Sequence, residues 1–263
     1  MSAVPRQPRS SLLLVACLAL LIACHIDIAP LTVEWDQDPS TLIIEADTFG
    51  GLVPQTQALN HIPDARIWGD GRIVWVERHA DAGRNVWQGQ LSQQALIKLA
   101  SFIIEEGFFD WQTHYQPADP PPDMPTSHIS VYLADRSKTV SQYFALRQAQ
   151  DDGGAPAGFW RIYDQIKTEP DGEPLVPQRG WLRAWPQDAN ASTDEAHPWP
   201  ADAEFTLSEA AVAGRWIEKP LIILVWDALN QSGGYSNTRA AFQEGEKIYS
   251  LTLQVPGISL HEP

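Results

Sequence analysis

Residues 65–77 read ARIWGDGRIVWVE, and this stretch carries the clearest local signal of fold in the chain. Two runs rich in β-branched and aromatic residues, 67–68 (IW) and 73–76 (IVWV), flank residues 69–71 (GDG). An Asp-Gly pair between two such runs is typical of a β-hairpin. The stretch therefore predicts two antiparallel strands that are joined by a tight turn.

Helical patterns follow this hairpin along the chain. Apolar residues repeat at helical spacing through residues 91–107, where Ser92 is placed to cap the first turn and Gly107 to end the helix. Shorter helices are predicted at residues 159–168 and 207–213. The longest of the three predicted helices therefore lies directly after the hairpin region.

Runs of alternating or continuous apolar residues predict further strands, at residues 41–51, 84–90, 128–134, 138–144, 180–185, 221–226 and 247–255. Together with the helices they predict an α+β fold, in which antiparallel sheet or sheets carry one long and one or two shorter packed helices.

Composition along the chain predicts five segments. Residues 1–23 are a signal peptide, residues 24–40 a short acidic tether and residues 41–168 an α+β domain. Residues 169–178 contain three prolines and a glycine and are predicted to be a linker. Residues 179–263 form a smaller α+β unit, which is either continuous with the first domain or separate from it.

The N-terminus has the three parts of an export signal. Residues 1–11 carry Arg6 and Arg9 and no acid, residues 12–22 are an uninterrupted apolar run, and a small residue precedes Cys24. A helix needs about 20 apolar residues to cross a bilayer, so this run is too short for that.

Residues 21–24, LIAC, resemble the lipobox of bacterial lipoproteins. The resemblance implies lipidation of Cys24, removal of residues 1–23 and attachment through lipid to the extracytoplasmic face of a bacterial membrane in the cell envelope. Residues 14–17, LVAC, also fit the short pattern, but a cut there would leave an apolar run of only a few residues. An ordinary secretory signal with an incidental cysteine is the alternative interpretation.

A second resemblance covers residues 42–143, which look like a domain of uncharacterised bacterial lipoproteins. The matching motifs are 49–51 (FGG), 68–72 (WGDGR), the helix start at 91–92 (LS) and 106–109 (EGFF). This resemblance implies an α+β fold and transfers no catalytic residue.

Charge and cysteine content exclude several classes of function. The formal net charge is −15, and it becomes −17 once the two arginines of residues 1–23 are removed. Such a surface repels phosphate backbones, so no nucleic-acid partner is expected. The two cysteines are Cys17, which leaves with the signal, and Cys24. Thiol catalysis and cysteine-ligated metals are therefore excluded for the processed chain.

Tryptophan is unusually abundant, with 11 in 263 residues. Trp181 and Trp185 are four residues apart on a predicted strand and therefore share one face. Trp199 lies between two prolines and is expected at the surface. Exposed tryptophans stack on sugar rings or bind protein partners, whereas the alternative is that they fill the core.

Four residues around the proline-rich loop 112–127 are candidate metal ligands: His114, Asp119, Asp123 and His128. Their spacing matches no known ligand motif, so the alternative interpretation is a set of solvated loop residues. No other motif identifies a catalytic residue, and no cofactor is predicted.

These observations favour a membrane-anchored extracytoplasmic lipoprotein that acts as a non-enzymatic binding or structural module, with an envelope protein or a glycan as partner. A carbohydrate-contacting surface protein that uses exposed tryptophans is the second hypothesis. A hydrolase or metal-dependent enzyme is the third.

Overall fold

The predicted hairpin lies in the middle of the larger of two sheets. In the computed structural model, which describes residues 33–79, 83–144, 153–167, 172–187, 196–231 and 240–261, it comprises β2 (Ala65–Trp68) and β3 (Arg72–His79). Arg66 pairs with Val74 and Ile67 with Ile73 in the antiparallel ladder. The hairpin prediction is therefore confirmed.

The first sheet has eight strands in the order β5-β7-β6-β1-β2-β3-β4-β8. Its other members are β1 (Leu42–Gly50), β4 (Gly83–Gln90), β5 (His114–Tyr115), β6 (Pro125–Tyr132), β7 (Ser137–Tyr143) and β8 (Glu173–Pro174).

The second sheet has five strands in the order β10-β12-β13-β9-β11. They are β9 (Arg179–Pro186), β10 (His197–Pro198), β11 (Arg215–Glu218), β12 (Ala241–Glu244) and β13 (Lys247–Gln254).

Both sheets are mixed, so the α+β class is confirmed but the purely antiparallel arrangement is not. The pairs β5–β7 and β10–β12 are parallel, whereas the other ladders are antiparallel. Each exception is a two-residue strand at a sheet edge that is reached through a loop. Two residues carry no side-chain pattern, so the direction of such a strand cannot be read from the sequence.

The described residues contain five α-helices. They are α1 (Gln55–Leu59), α2 (Gln93–Glu105), α3 (Ala157–Lys167), α4 (Leu207–Ala213) and α5 (Leu221–Gln231). Helix α2 confirms the prediction in detail, because the Ser92 side chain accepts from the backbone N–H of Ala95 and Gly107 adopts φ 80°. A left-handed backbone of this kind is where glycine ends helices without a steric penalty.

Helix α5 corrects the prediction of a buried strand at residues 221–226. A short apolar run is compatible with a buried strand and with a buried helix, and only its surroundings decide between them. Ile222, Val225, Trp226 and Leu229 are buried at helical spacing, and Ile223 donates to the carbonyl of Pro220. The helix is buried on most sides, which is why the run shows no polar alternation.

Two cores explain how the layers pack. Helices α2 and α3 cover one face of the first sheet, where Ile44, Ile73, Ile103 and Ile162 belong to one buried cluster. The opposite face of β3 supplies Val74 and Val76 to a second cluster. That cluster also contains residues of α4, α5 and the inner face of the second sheet: Leu207, Ile222, Val225, Leu182, Ala184, Leu251 and Leu253.

Residues 33–40, which the sequence assigned to the tether, lie against the first sheet. The indole of Trp35 is buried and donates to the carbonyl of Gly69, and Ala134 donates to the carbonyl of Glu34. The predicted signal peptide, Cys24 and the first part of the predicted tether lie outside the described residues.

Candidate ligand-binding face

Trp181 and Trp185 lie on the outer face of the second sheet. The sequence predicted a strand here, and β9 confirms both the strand and the shared face. Leu182 and Ala184 point into the second core, so the alternating residues Trp181, Arg183 and Trp185 point away from it. Both tryptophans are half-buried. Their rings are therefore accessible in part and supported by the sheet below.

Trp216 on β11 completes an aromatic pair with Trp181. The two residues are register partners, their ring centroids lie 5.5 Å apart and their planes meet at 68°. Trp216 is 44% exposed, which is unusual for a tryptophan. The two rings therefore form an edge-to-face pair on the outer face of the sheet.

Gly214 permits this arrangement of Trp181. A Cβ atom at position 214 would lie 2.5 Å from the indole of Trp181, and the backbone there has φ 68°. Any other residue would therefore push the ring off the sheet and strain the backbone as well. The turn that ends α4 is thus also the support for the ring.

Two arginines stack on the same rings. The guanidinium carbon of Arg179 lies 4.1 Å from the ring centroid of Trp216, and that of Arg183 lies 4.8 Å from the ring of Trp185. Cation–π contacts of this kind contribute about 0.5–1 kcal/mol at exposed sites and hold both partners in place. We call this set of five residues, Arg179, Trp181, Arg183, Trp185 and Trp216, the tryptophan face.

The tryptophan face retains hydrogen-bonding capacity. Trp185 donates to the hydroxyl of Thr252 at 3.3 Å, whereas no described residue accepts from the indole N–H of Trp181 or Trp216. Glu218 lies opposite Arg179 in the ladder and is the acidic residue nearest in register. Rings, indole donors and guanidinium groups together suit a ligand with ring faces, hydroxyls and carboxylates.

Trp199 does not belong to this face, and the expectation that it lies at the surface is wrong. It is 8% exposed, its indole donates to the carbonyl of Phe205 at 3.1 Å, and its ring meets that of Phe242 at 5.9 Å. The flanking prolines suggested a surface loop, but an internal acceptor for the N–H makes burial favourable.

The four candidate metal ligands are not brought together. Among the described residues no group of three or more His, Cys, Asp or Glu could hold a metal ion. His114 contacts Ser141 and Gln116 on exposed β5, and His128 contacts Glu45. Asp119 and Asp123 lie in the proline-rich loop, where the backbone of Asp123 has φ 56°.

A buried polar network that the sequence did not indicate surrounds His61. Its Nε2 lies 2.8 Å and 2.9 Å from the two carboxylate oxygens of Asp47. Beside this pair, the hydroxyl of Tyr163 donates to Asp64 at 2.5 Å and meets the hydroxyl of Thr48 at 2.8 Å. Burial, followed by the charge of Asp64, raises the pKa of Tyr163 well above 10, so this hydroxyl acts as a proton-bearing donor.

The same segment joins the two sheets. Asn60 donates to the carbonyl of Leu251 and accepts from the backbone of Leu253, both on β13. Leu260 donates to the carbonyl of His61, and Arg66 donates to the carbonyl of Ser259. Residues 60–66 therefore have a structural role, because their polar groups form hydrogen bonds with β13 and with the residues that follow it.

Comparisons of the chain with protein-family models, with curated proteins and with solved structures found no match. Within the described ranges, no helix has both the length and the apolar content that crossing a bilayer requires.

Sequence reasoning found two members of the tryptophan face and missed the other three. Residues 179–185 read RGWLRAW, so arginine and tryptophan alternate with the period of a strand. That alternation was the available signal for Arg179 and Arg183. Trp216 lies in a four-residue strand that no pattern predicted, and only its pairing with β9 brings it to Trp181.

Proposed function

We propose that this chain is a lipid-anchored extracytoplasmic binding module, and that the tryptophan face is its ligand-contacting surface. The observation that carries the proposal is the edge-to-face pair of Trp181 and Trp216, with Arg179 over the ring of Trp216 and Arg183 over the ring of Trp185. Prearranged aromatic side chains bind at a low entropic cost, since few rotamers are lost on contact.

A glycan that carries carboxylate groups is the ligand class that we propose. Pyranose rings present apolar faces that stack on indoles, and their hydroxyls accept from indole N–H groups. Arg179 and Arg183 place two positive charges on this face and Glu218 opposite Arg179 one negative charge, whereas the whole chain has a net charge of −15. A local positive patch on an acidic protein favours an anionic ligand over a neutral one.

Binding is tested by titrating the purified full chain with tri-galacturonic acid and, in parallel, with neutral galactotriose, while tryptophan fluorescence is followed. We expect a saturable change with the acidic sugar and a weaker response to the neutral one. W216A should weaken binding about tenfold, which corresponds to about 1.4 kcal/mol.

Y132A is the matched control, because Tyr132 is an aromatic residue of a strand with a similar exposed fraction, 41%, in the first sheet. R183A is paired in the same way with R136A, since Arg136 stacks on Phe109 far along the chain from β9. Equal loss of affinity in test and control variants, or no response to either sugar, would refute the proposed ligand class.

The anchor is tested separately by mass spectrometry of the native N-terminus. We expect the mature chain to begin with a lipidated Cys24, and C24S to accumulate with residues 1–23 still attached. C17S is the matched control and should be processed normally. An unmodified Cys24 in the mature chain would refute the anchor while leaving the tryptophan face untouched.

A further inference from the structure

A pocket lies between strand β4 of the first sheet and helix α5, and no residue of the tryptophan face lines it. It has a volume of about 270 Å³ and opens between β4, the strand β8 with the residues after it, and the C-terminal half of α5. Its lining includes Arg84, Trp87, Val176, Trp226, Asp227 and Asn230. Polar side chains therefore lie beside buried apolar residues of the second core in one space.

Among the described residues of that lining Arg84 is the one cation, and its described partners are neutral. Its Nε donates to the side-chain oxygen of Asn230 at 2.7 Å, and its Nη1 donates to the carbonyl of Asn60 at 2.9 Å. No carboxylate among the described residues forms a salt bridge with it, and no described acceptor bonds to its Nη2. The guanidinium is thus held in position, and its Nη2 donors have no acceptor in the part of the chain that the structure describes.

The surroundings of Arg84 disfavour its positive charge. Arg78 is the direct register partner of Arg84 across the β3–β4 ladder, and like charges that lie opposite each other destabilise a sheet. The charge of Arg78 is matched by Asp64 at 3.0 Å, whereas no carboxylate of the described ranges matches that of Arg84. Burial, followed by the charge of Arg78, lowers the pKa of Arg84 to about 9.

A bound oxyanion would compensate the positive charge of Arg84. A partly desolvated guanidinium gains most from a carboxylate, because the fork of N–H groups matches its two oxygens. We propose that this pocket binds a small organic monocarboxylate, whose carboxylate meets Arg84 and whose apolar body packs on Trp226. Asp227 adds one negative charge to the lining, which disfavours ligands with several negative charges.

The aromatic part of the lining is fixed by bonds elsewhere. Trp226 donates to the carbonyl of Leu175, and Trp87 donates to Glu77 and stacks on Trp75 with 6.4 Å between ring centroids. Neither indole therefore needs the ligand for its own hydrogen bond. The ring of Trp226 remains as an aromatic wall of the pocket, whereas the ring of Trp87 lies with Trp75 on the opposite face of β4.

The test is isothermal titration calorimetry of the purified full chain with sodium benzoate, with benzamide as the neutral isostere and inorganic phosphate as the multivalent anion. We expect benzoate to bind and the other two to be at least about tenfold weaker. R84Q should weaken benzoate binding about tenfold or more, since it removes a hydrogen bond between charged groups.

A second variant keeps Arg84 and fills the pocket instead. Val176 lines the pocket and is 43% exposed, so V176W should block benzoate without disturbing the core. V212W is the matched control, because Val212 lies outside the pocket lining and is 82% exposed.

Equal binding of benzamide, binding of phosphate in place of benzoate, or unchanged benzoate affinity in V176W would overturn the proposal. The same holds for unchanged affinity in a folded R84Q. Binding of benzoate that both V176W and R84Q lose and V212W keeps would establish it. None of these outcomes depends on the tryptophan face, so the two sites are tested independently.

Discussion

Nε2 of His128 lies 3.0 Å from Oε1 of Glu45, on the neighbouring strand of the first sheet. Burial lowers the pKa of His128, but the bond to Glu45 and the charge of Asp47 outweigh it and leave the pKa above 6.5. Burial raises the pKa of Glu45, yet its bonds to His128 and Arg66 leave that pKa below 4.5. The two groups therefore stabilise each other as an ion pair.

The first prediction concerns the pH dependence of this pair. Because the folded-state pKa of His128 is raised, its contribution to the free energy of unfolding is complete below pH 6.5 and is lost as pH rises through the raised value. H128Q should therefore destabilise the protein more at pH 6 than at pH 9, by about 1 kcal/mol.

Urea unfolding of wild type and H128Q at the two pH values measures this difference. H114Q is the matched replacement, since His114 lies exposed on β5. A destabilisation by H128Q that is the same at both pH values would contradict the assigned pair. Glu45 sets the lower pH limit of this stabilisation. Its contribution to the free energy of unfolding is present above pH 4.5 and is lost as pH falls through its lowered pKa.

The second prediction concerns the hydroxyl of Tyr163. Y163F removes the donor to Asp64 and the contact with Thr48, so a buried carboxylate oxygen loses its closest hydrogen bond. We expect a loss of about 1–3 kcal/mol in the free energy of unfolding. Y132F, at an exposed tyrosine, should change this quantity by less than about 0.5 kcal/mol; a similar loss in both variants would show that the network contributes nothing specific.

The third prediction uses two isoleucines of the same helix. Ile103 lies on the buried face of α2 and is fully buried, whereas Ile97 of the same helix is 37% exposed. I103A should cost about 2–5 kcal/mol, since it leaves a cavity in the first core. I97A, which removes the same atoms from the helix surface, should cost far less in the same denaturant titration. Equal costs would mean that the helix presents a different face to the sheet.

The fourth prediction separates structural from surface tryptophans. W199A should lower the free energy of unfolding by about 3–5 kcal/mol, because it empties a buried site and removes the donor to Phe205. W216A removes an exposed ring and a cation–π contact, so we expect a loss of about 1 kcal/mol. Thermal unfolding of both variants checks this, and a reversed order would contradict the placement of both rings.

Local patterns determined much of this structure because they depend on neighbours in the chain. The hairpin at residues 65–77 and the Ser92 to Gly107 helix need only turn chemistry, a cap and a period of apolar residues, all of which are visible in the sequence. The shared face of Trp181 and Trp185 follows in the same way from the period of a strand.

Tertiary structure alone decided the features that depend on distant partners. The apolar run 221–226 became a helix because two sheets enclose it, and Trp199 is buried because Phe205 and Phe242 surround it. Strand pairing brings Trp216 to Trp181 and places Arg84 opposite Arg78. Such contacts arise between residues far apart in the chain, and no local pattern encodes which ones will meet.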